Sequence, residues 1–170
     1  MRQKVSFTVV LILCILNWVY AQAPQANQTA VWPFMCEQYA FSGIVEVQIS
    51  ITPKGGTLKL AVESASSSSI IAGTTYLFLK NNTVITCLDK NKRSIDGTKI
   101  VSYFDLNAQE MKQLQFNRID FIHFNIKGNS RIFSGQLGNF TALNKRSFFG
   151  KDTPENPNYF DTALAIKALY

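Results

Sequence analysis

The chain is poor in the residues that most enzymes rely on. Its 170 residues hold one histidine, three cysteines and five prolines. The single histidine, His123, is the only unperturbed side chain able to change charge near neutral pH. The two cysteines beyond the N-terminal region, Cys36 and Cys87, have no histidine or further cysteine beside them, which argues against a metal site. There is no Gly-x-Ser-x-Gly, and the serine run of residues 66–69 has no local base. Gly55-Gly56 sits between two strand-like segments and lacks the following helix that a phosphate loop needs. Asp89 and Asp96 lack the spacing of a calcium loop, and basic residues fill the interval. No repeat of solenoid period occurs. Basic and aromatic residues are not interleaved as single-stranded nucleic-acid binding requires, so no nucleic acid is expected as partner. No cofactor is expected either.

What is present begins with an address. Arg2 and Lys4 precede a largely apolar stretch, residues 5–19. Val19-Tyr20-Ala21 then places small residues at the two positions a signal peptidase reads. Residues 1–21 are expected to be a cleaved signal peptide, with residues 22–30 as a flexible polar leader and residues 31–170 as one domain. The apolar stretch is too short and too close to the cleavage site for a permanent span, and no transmembrane segment is expected in the mature chain. The formal charge is +6, and losing Arg2 and Lys4 lowers it by two, to +4. The basic residues are spread along the chain, apart from Lys90-Asn91-Lys92-Arg93, so the charge reads as solubility rather than as one binding patch. In an exported chain Cys36 and Cys87 invite a disulfide, which would close about 50 residues and contribute about 4 kcal/mol. Burial of two apolar thiols is the alternative.

The body of the chain alternates with a period of two. Val45, Val47, Ile49 and Ile51 share one face of a strand, and residues 57–63 alternate again after a turn at Pro53-Lys54-Gly55-Gly56. Residues 64–69 read as an exposed serine loop. A second hairpin runs through residues 74–80 and 83–88, turning at Asn81-Asn82, where positive φ is tolerated. Residues 89–98 read as a charged loop, and residues 99–106 as a further strand. Asn107 and Glu110 have the spacing of a reciprocal capping box, with Met111 and Leu114 on one face, so a short helix is expected near 107–115. A strand follows over 119–126, then short segments at 131–135 and 140–143. Asp161 can cap a C-terminal helix, with a terminal strand as the alternative. The fold class is therefore mainly β: an antiparallel β-sandwich with two helices, and a half-open barrel as the second architecture.

The candidate functional residues are few. His123 is expected to share a strand face with Ile119, Phe121 and Asn125, while Asp120 projects to the other face and cannot orient it. That argues against a general base. A carboxylate pair for glycoside hydrolysis can be close in space without being close in sequence, so it stays open. Trp32, Phe34, Tyr39, Phe148, Phe149 and Tyr159 are aromatic candidates for a contact surface. The denser N-terminal group among them also fits an arm packed over the core.

The strand–helix–strand order through Asn107-Ala108-Gln109-Glu110-Met111-Lys112-Gln113-Leu114, the late Gly138-Asn139-Phe140-Thr141-Ala142 and the ending at 159–170 resemble small exported bacterial β-rich proteins of uncharacterised function. The likeness spans the C-terminal half of the mature chain and its motifs are structural. It implies a periplasmic, outer envelope-associated or secreted location and carries over no catalytic residue. The expected function is a non-catalytic binding domain for an extracellular protein or glycan. A small hydrolase using His123 or a carboxylate pair is one alternative. A structural envelope component meeting anionic lipid or polysaccharide is the other.

Overall fold

Strand β1 (Trp32–Met35) lies in the middle of the sheet, between the second strand and the last, although it comes first in the chain. In the computed structural model, residues 27–39, 42–128 and 136–170 are described. The expected signal peptide, the first part of the expected leader and the segment 131–135 lie outside them. The remaining strands are β2 (Ile44–Thr52), β3 (Gly55–Glu63), β4 (Ile70–Ile71), β5 (Thr75–Leu79), β6 (Val84–Cys87), β7 (Arg93–Asp96), β8 (Lys99–Asn107), β9 (Ile119–Lys127) and β10 (Gly138–Leu143). Helices α1 (Ala108–Phe116) and α2 (Thr162–Lys167) complete the fold. All ten strands belong to one antiparallel sheet in the order β6-β5-β9-β10-β1-β2-β3-β8-β7, with β4 paired to β9.

The sheet curls until its ends meet around one core. β4 and β6 come into contact with β8, and the Ile71 carbonyl accepts from Ser102 Oγ at 2.8 Å and from Arg93 Nε at 3.1 Å. The inner face carries Val45, Val47, Ile49, Leu58, Leu60, Leu77, Phe104, Ile122 and Phe124. The mainly β, antiparallel class with two helices is as expected. The two halves of a sandwich are here one sheet folded over on itself.

Helix α1 leads from β8, near one end of the strand order, to β9, near the other. Its capping box is formed: Asn107 Oδ1 accepts from the Glu110 amide at 2.9 Å, and Glu110 Oε2 accepts from the Asn107 amide at 2.7 Å. Met111 and Leu114 are fully buried. The paired glycines of the β2–β3 turn make room for this helix. A Cβ on Gly56 would strike the Met111 sulfur, and one on Gly55, whose φ is +143°, would strike the Leu106 carbonyl. So Gly55-Gly56 serves close approach as much as chain reversal. Asn82 supplies the positive φ, 65°, of the β5–β6 turn.

Four local expectations are corrected. Residues 27–30, assigned to a flexible leader, run beside β2: the Thr29 amide donates to Ile49 O and the Ile51 amide to Asn27 O, both at 2.8 Å. The serine loop is not wholly exposed, since Ser64 and Ser69 are buried and β4 follows at once. The charged loop contains β7, which forms a hairpin with β8 around Gly97. The disulfide is absent: Cys36 and Cys87 are both free and buried. Cys36 follows β1 and Cys87 ends β6, with β5, β9 and β10 between those strands in the sheet. A disulfide requires Cα atoms within about 7 Å.

Candidate functional site

Alternation along β5 and β9 sends one set of side chains into the core and the other outward. On β5, Thr75, Leu77 and Leu79 are buried while Tyr76 and Phe78 face out. On β9, Ile122, Phe124 and Ile126 are buried while Phe121, His123 and Asn125 face out. Strand register brings the outward residues together. Thr86, Tyr76, His123 and Thr141 form one row across β6, β5, β9 and β10, and Val84, Phe78, Phe121 and Leu143 form the next.

The rows make an aromatic platform. Phe78 and Phe121 stack with centroids 4.4 Å apart and planes 15° apart. The His123 ring lies 4.8 Å from Phe78 and 5.2 Å from Phe121, tilted against both. Its exposure follows from its place in the alternation, and no side chain among the described residues hydrogen-bonds the imidazole. Next to His123 opens a depression of about 350 Å³, lined among others by Gln38, Thr74, Tyr76, Asn125 and Thr141. Asn125 Nδ2 donates to Asn139 Oδ1 at 2.8 Å, and Asn125 Oδ1 has no partner among the described residues. The surface is thus flat and apolar at its centre and rich in amides and hydroxyls at its border.

The expected place of Ile119 on this face is corrected. A register shift at Phe78/Leu79 breaks the alternation, and Ile119 is buried in the core together with Ile122. The Ile119 amide donates to Thr162 Oγ1 at 2.9 Å, tying β9 to α2.

The aromatic candidates divide. Trp32, Phe34 and Tyr39 are core residues. Phe34 stacks on Phe160, Tyr39 meets Phe140 edge-on at 5.2 Å, and the Tyr39 hydroxyl donates to the Glu63 carbonyl. Burial pushes the Tyr39 phenol up to about 12. They are therefore removed from the contact surface. Phe149 is 96% exposed. Phe148 and Tyr159 are half-buried, the latter beneath the Arg118 guanidinium at 3.4 Å. Tyr76, Phe78 and Phe121 were not singled out from sequence. The signal for them was there: aromatic or imidazole rings at i and i+2 on two strands, at positions opposite in phase to the aliphatic residues.

Burial pushes the Cys87 thiol up to about 12 and raises that of Cys36, so neither is a ready thiolate. No group of three or more His, Cys, Asp or Glu side chains there is placed to hold a metal. Several carboxylates are engaged by cations: Glu46 with Lys99 at 2.6 Å, Asp105 with Lys92 at 2.6 Å and Lys90 at 3.2 Å, and Asp89 with Arg93. Burial opposes the charge of Asp89, yet the amides of Gly73 and Asn91 and the Arg93 guanidinium hold its carboxyl below its ordinary value. No helix among the described residues is long and apolar enough to cross a membrane. In comparison with known proteins, no family model, no curated protein and no solved structure matches the chain.

Proposed function

We propose that this chain is an exported, non-catalytic β domain that binds glycan on the outer face of β5, β9 and β10. One observation carries the reading: a platform of the rings of Tyr76, Phe78, Phe121 and His123 bordered by Gln38, Asn125, Asn139 and Thr141. A sugar ring offers an apolar C–H face and a rim of hydroxyls. Flat rings match the first, and amides and hydroxyls match the second. His123 then serves as a ring and a hydrogen-bonding group, in keeping with the lack of an orienting acid among the described residues. Export rests on the N-terminal sequence alone.

The test is thermal unfolding of the protein against a panel of soluble oligosaccharides. A ligand present at 100 times its Kd stabilises by about 2.7 kcal/mol. At least one glycan class is expected to raise Tm, and Phe78→Ala with Phe121→Ala is expected to abolish that rise while the protein still unfolds cooperatively. A flat panel would move the platform to a protein partner. Hydrolysis of a bound oligosaccharide, lost in His123→Ala, would overturn the non-catalytic reading.

A further inference from the structure

A second surface, apart from the aromatic platform, is formed where the two helices meet. Phe116 closes α1 with its side chain 67% exposed, and Leu164 of α2 is 66% exposed. Both line a shallow depression of about 780 Å³, together with Lys80, Arg118 and Lys167. Lys112 precedes Phe116 by one turn and Lys167 follows Leu164 by three residues, so each apolar side chain has a lysine beside it on its own helix.

The charges here are unevenly engaged. The two acids of the depression are turned to backbone donors: Asp161 Oδ1 accepts from the Leu164 amide at 3.1 Å and Asp152 Oδ1 from the Asn158 amide at 3.2 Å. The Arg118 guanidinium lies on the Tyr159 ring. Lys80, Lys112 and Lys167 form no ion pair among the described residues, like Lys54, Lys59, Lys127, Lys145 and Lys151, and what sets this end apart is that they flank Phe116 and Leu164. Unpaired lysines around two exposed large apolar side chains fit the boundary of an anionic bilayer. There the rings and aliphatic chains enter the acyl edge and the ammonium groups reach lipid phosphates.

We infer that the α1–α2 end of the domain is a contact surface for anionic lipid. The lysine ammonium groups are attracted to such a surface, and the attraction decays over a Debye length of about 8 Å at physiological salt. The binding is therefore peripheral and salt-sensitive.

The experiment is co-sedimentation of the protein with vesicles of phosphatidylcholine alone, or with one third phosphatidylglycerol, at low and at 0.5 M salt. Binding is expected only to the anionic vesicles, falling at least about five-fold in high salt. The triple variant Lys80→Glu, Lys112→Glu, Lys167→Glu is expected to lose it. Phe116→Ser with Leu164→Ser is expected to weaken it about ten-fold, the order of losing two partly inserted side chains. All these side chains are exposed, so circular dichroism and Tm should match the parent protein. Phe78→Ala with Phe121→Ala is expected to bind vesicles normally, which separates this surface from the glycan reading. Absence of binding at low salt, or equal binding by the triple variant, overturns the inference. A concentration-dependent dimer abolished by Phe116→Ser would also overturn it and assign the surface to a second copy of the chain.

Discussion

Two groups of aromatic residues in this molecule have opposite fates. Trp32, Phe34 and Tyr39 are crowded into eight residues at the start of the sheet, and all three are buried. Tyr76, Phe78, Phe121 and His123 are thinly spread in sequence, and the register of β5 and β9 gathers them outside. The first group sits on and beside a central strand covered by β2, β10 and the C-terminal tail. Phe160 covers Phe34, and Asn144 fixes that tail by donating to the carbonyls of Ile119 at 2.7 Å and Phe160 at 2.9 Å. The second group belongs to strands whose inner positions are already taken by Leu77, Leu79, Ile122 and Phe124. Local density of aromatics therefore reports burial here, and phase against the aliphatic residues reports a surface.

The contrast can be broken most forcefully from the inside. Phe34→Ala should destabilise the protein by about 3–5 kcal/mol, as truncation of a fully buried phenylalanine does. Chemical denaturation would measure it, and a loss below about 1 kcal/mol would mean that the central position of β1 is not critical. Tyr39→Phe should cost less, about 1–2 kcal/mol, for the lost bond to the Glu63 carbonyl. It carries a pH signature as well. The Tyr39 phenol titrates higher in the fold than in the unfolded chain, so its contribution is complete below pH 10 and is lost as pH rises towards about 12. Tyr39→Phe should flatten the Tyr39 share of that alkaline decline and leave the share of Cys87. The smallest effect on stability is expected for Phe121→Ala, about 0.5–1 kcal/mol, the scale of a cross-strand aromatic pair. Its effect on ligand-induced stabilisation should be far larger than its effect on Tm. Equal losses in both would place Phe121 with the core aromatics instead.

Much of the fold could be read from local patterns. The capping box of Asn107 and Glu110, the alternation in β2 and β3, the Asn81-Asn82 turn and the Asp161 cap are signals carried within a few residues, and the structure realises each. What could not be read depends on partners far away in the chain. β4 has two residues and exists because β9 offers an edge to it. β7 emerges from a charged segment because β8 returns beside it. Ile119 turns inward because the pairing with β5 slips by one position. The platform was hidden for the same reason: each strand shows two outward rings, and only their register makes them one surface.

The position of β1 has a consequence for the order of events as the chain folds. Its neighbours are β2, which follows at once, and β10, more than a hundred positions later: Met35 pairs with Leu143. The sheet cannot be completed until β10 is available. Such distant pairing is slow, because a long loop must close before any contact repays it. A chain that cannot close early leaves the edges of its strands unpaired for longer while it folds.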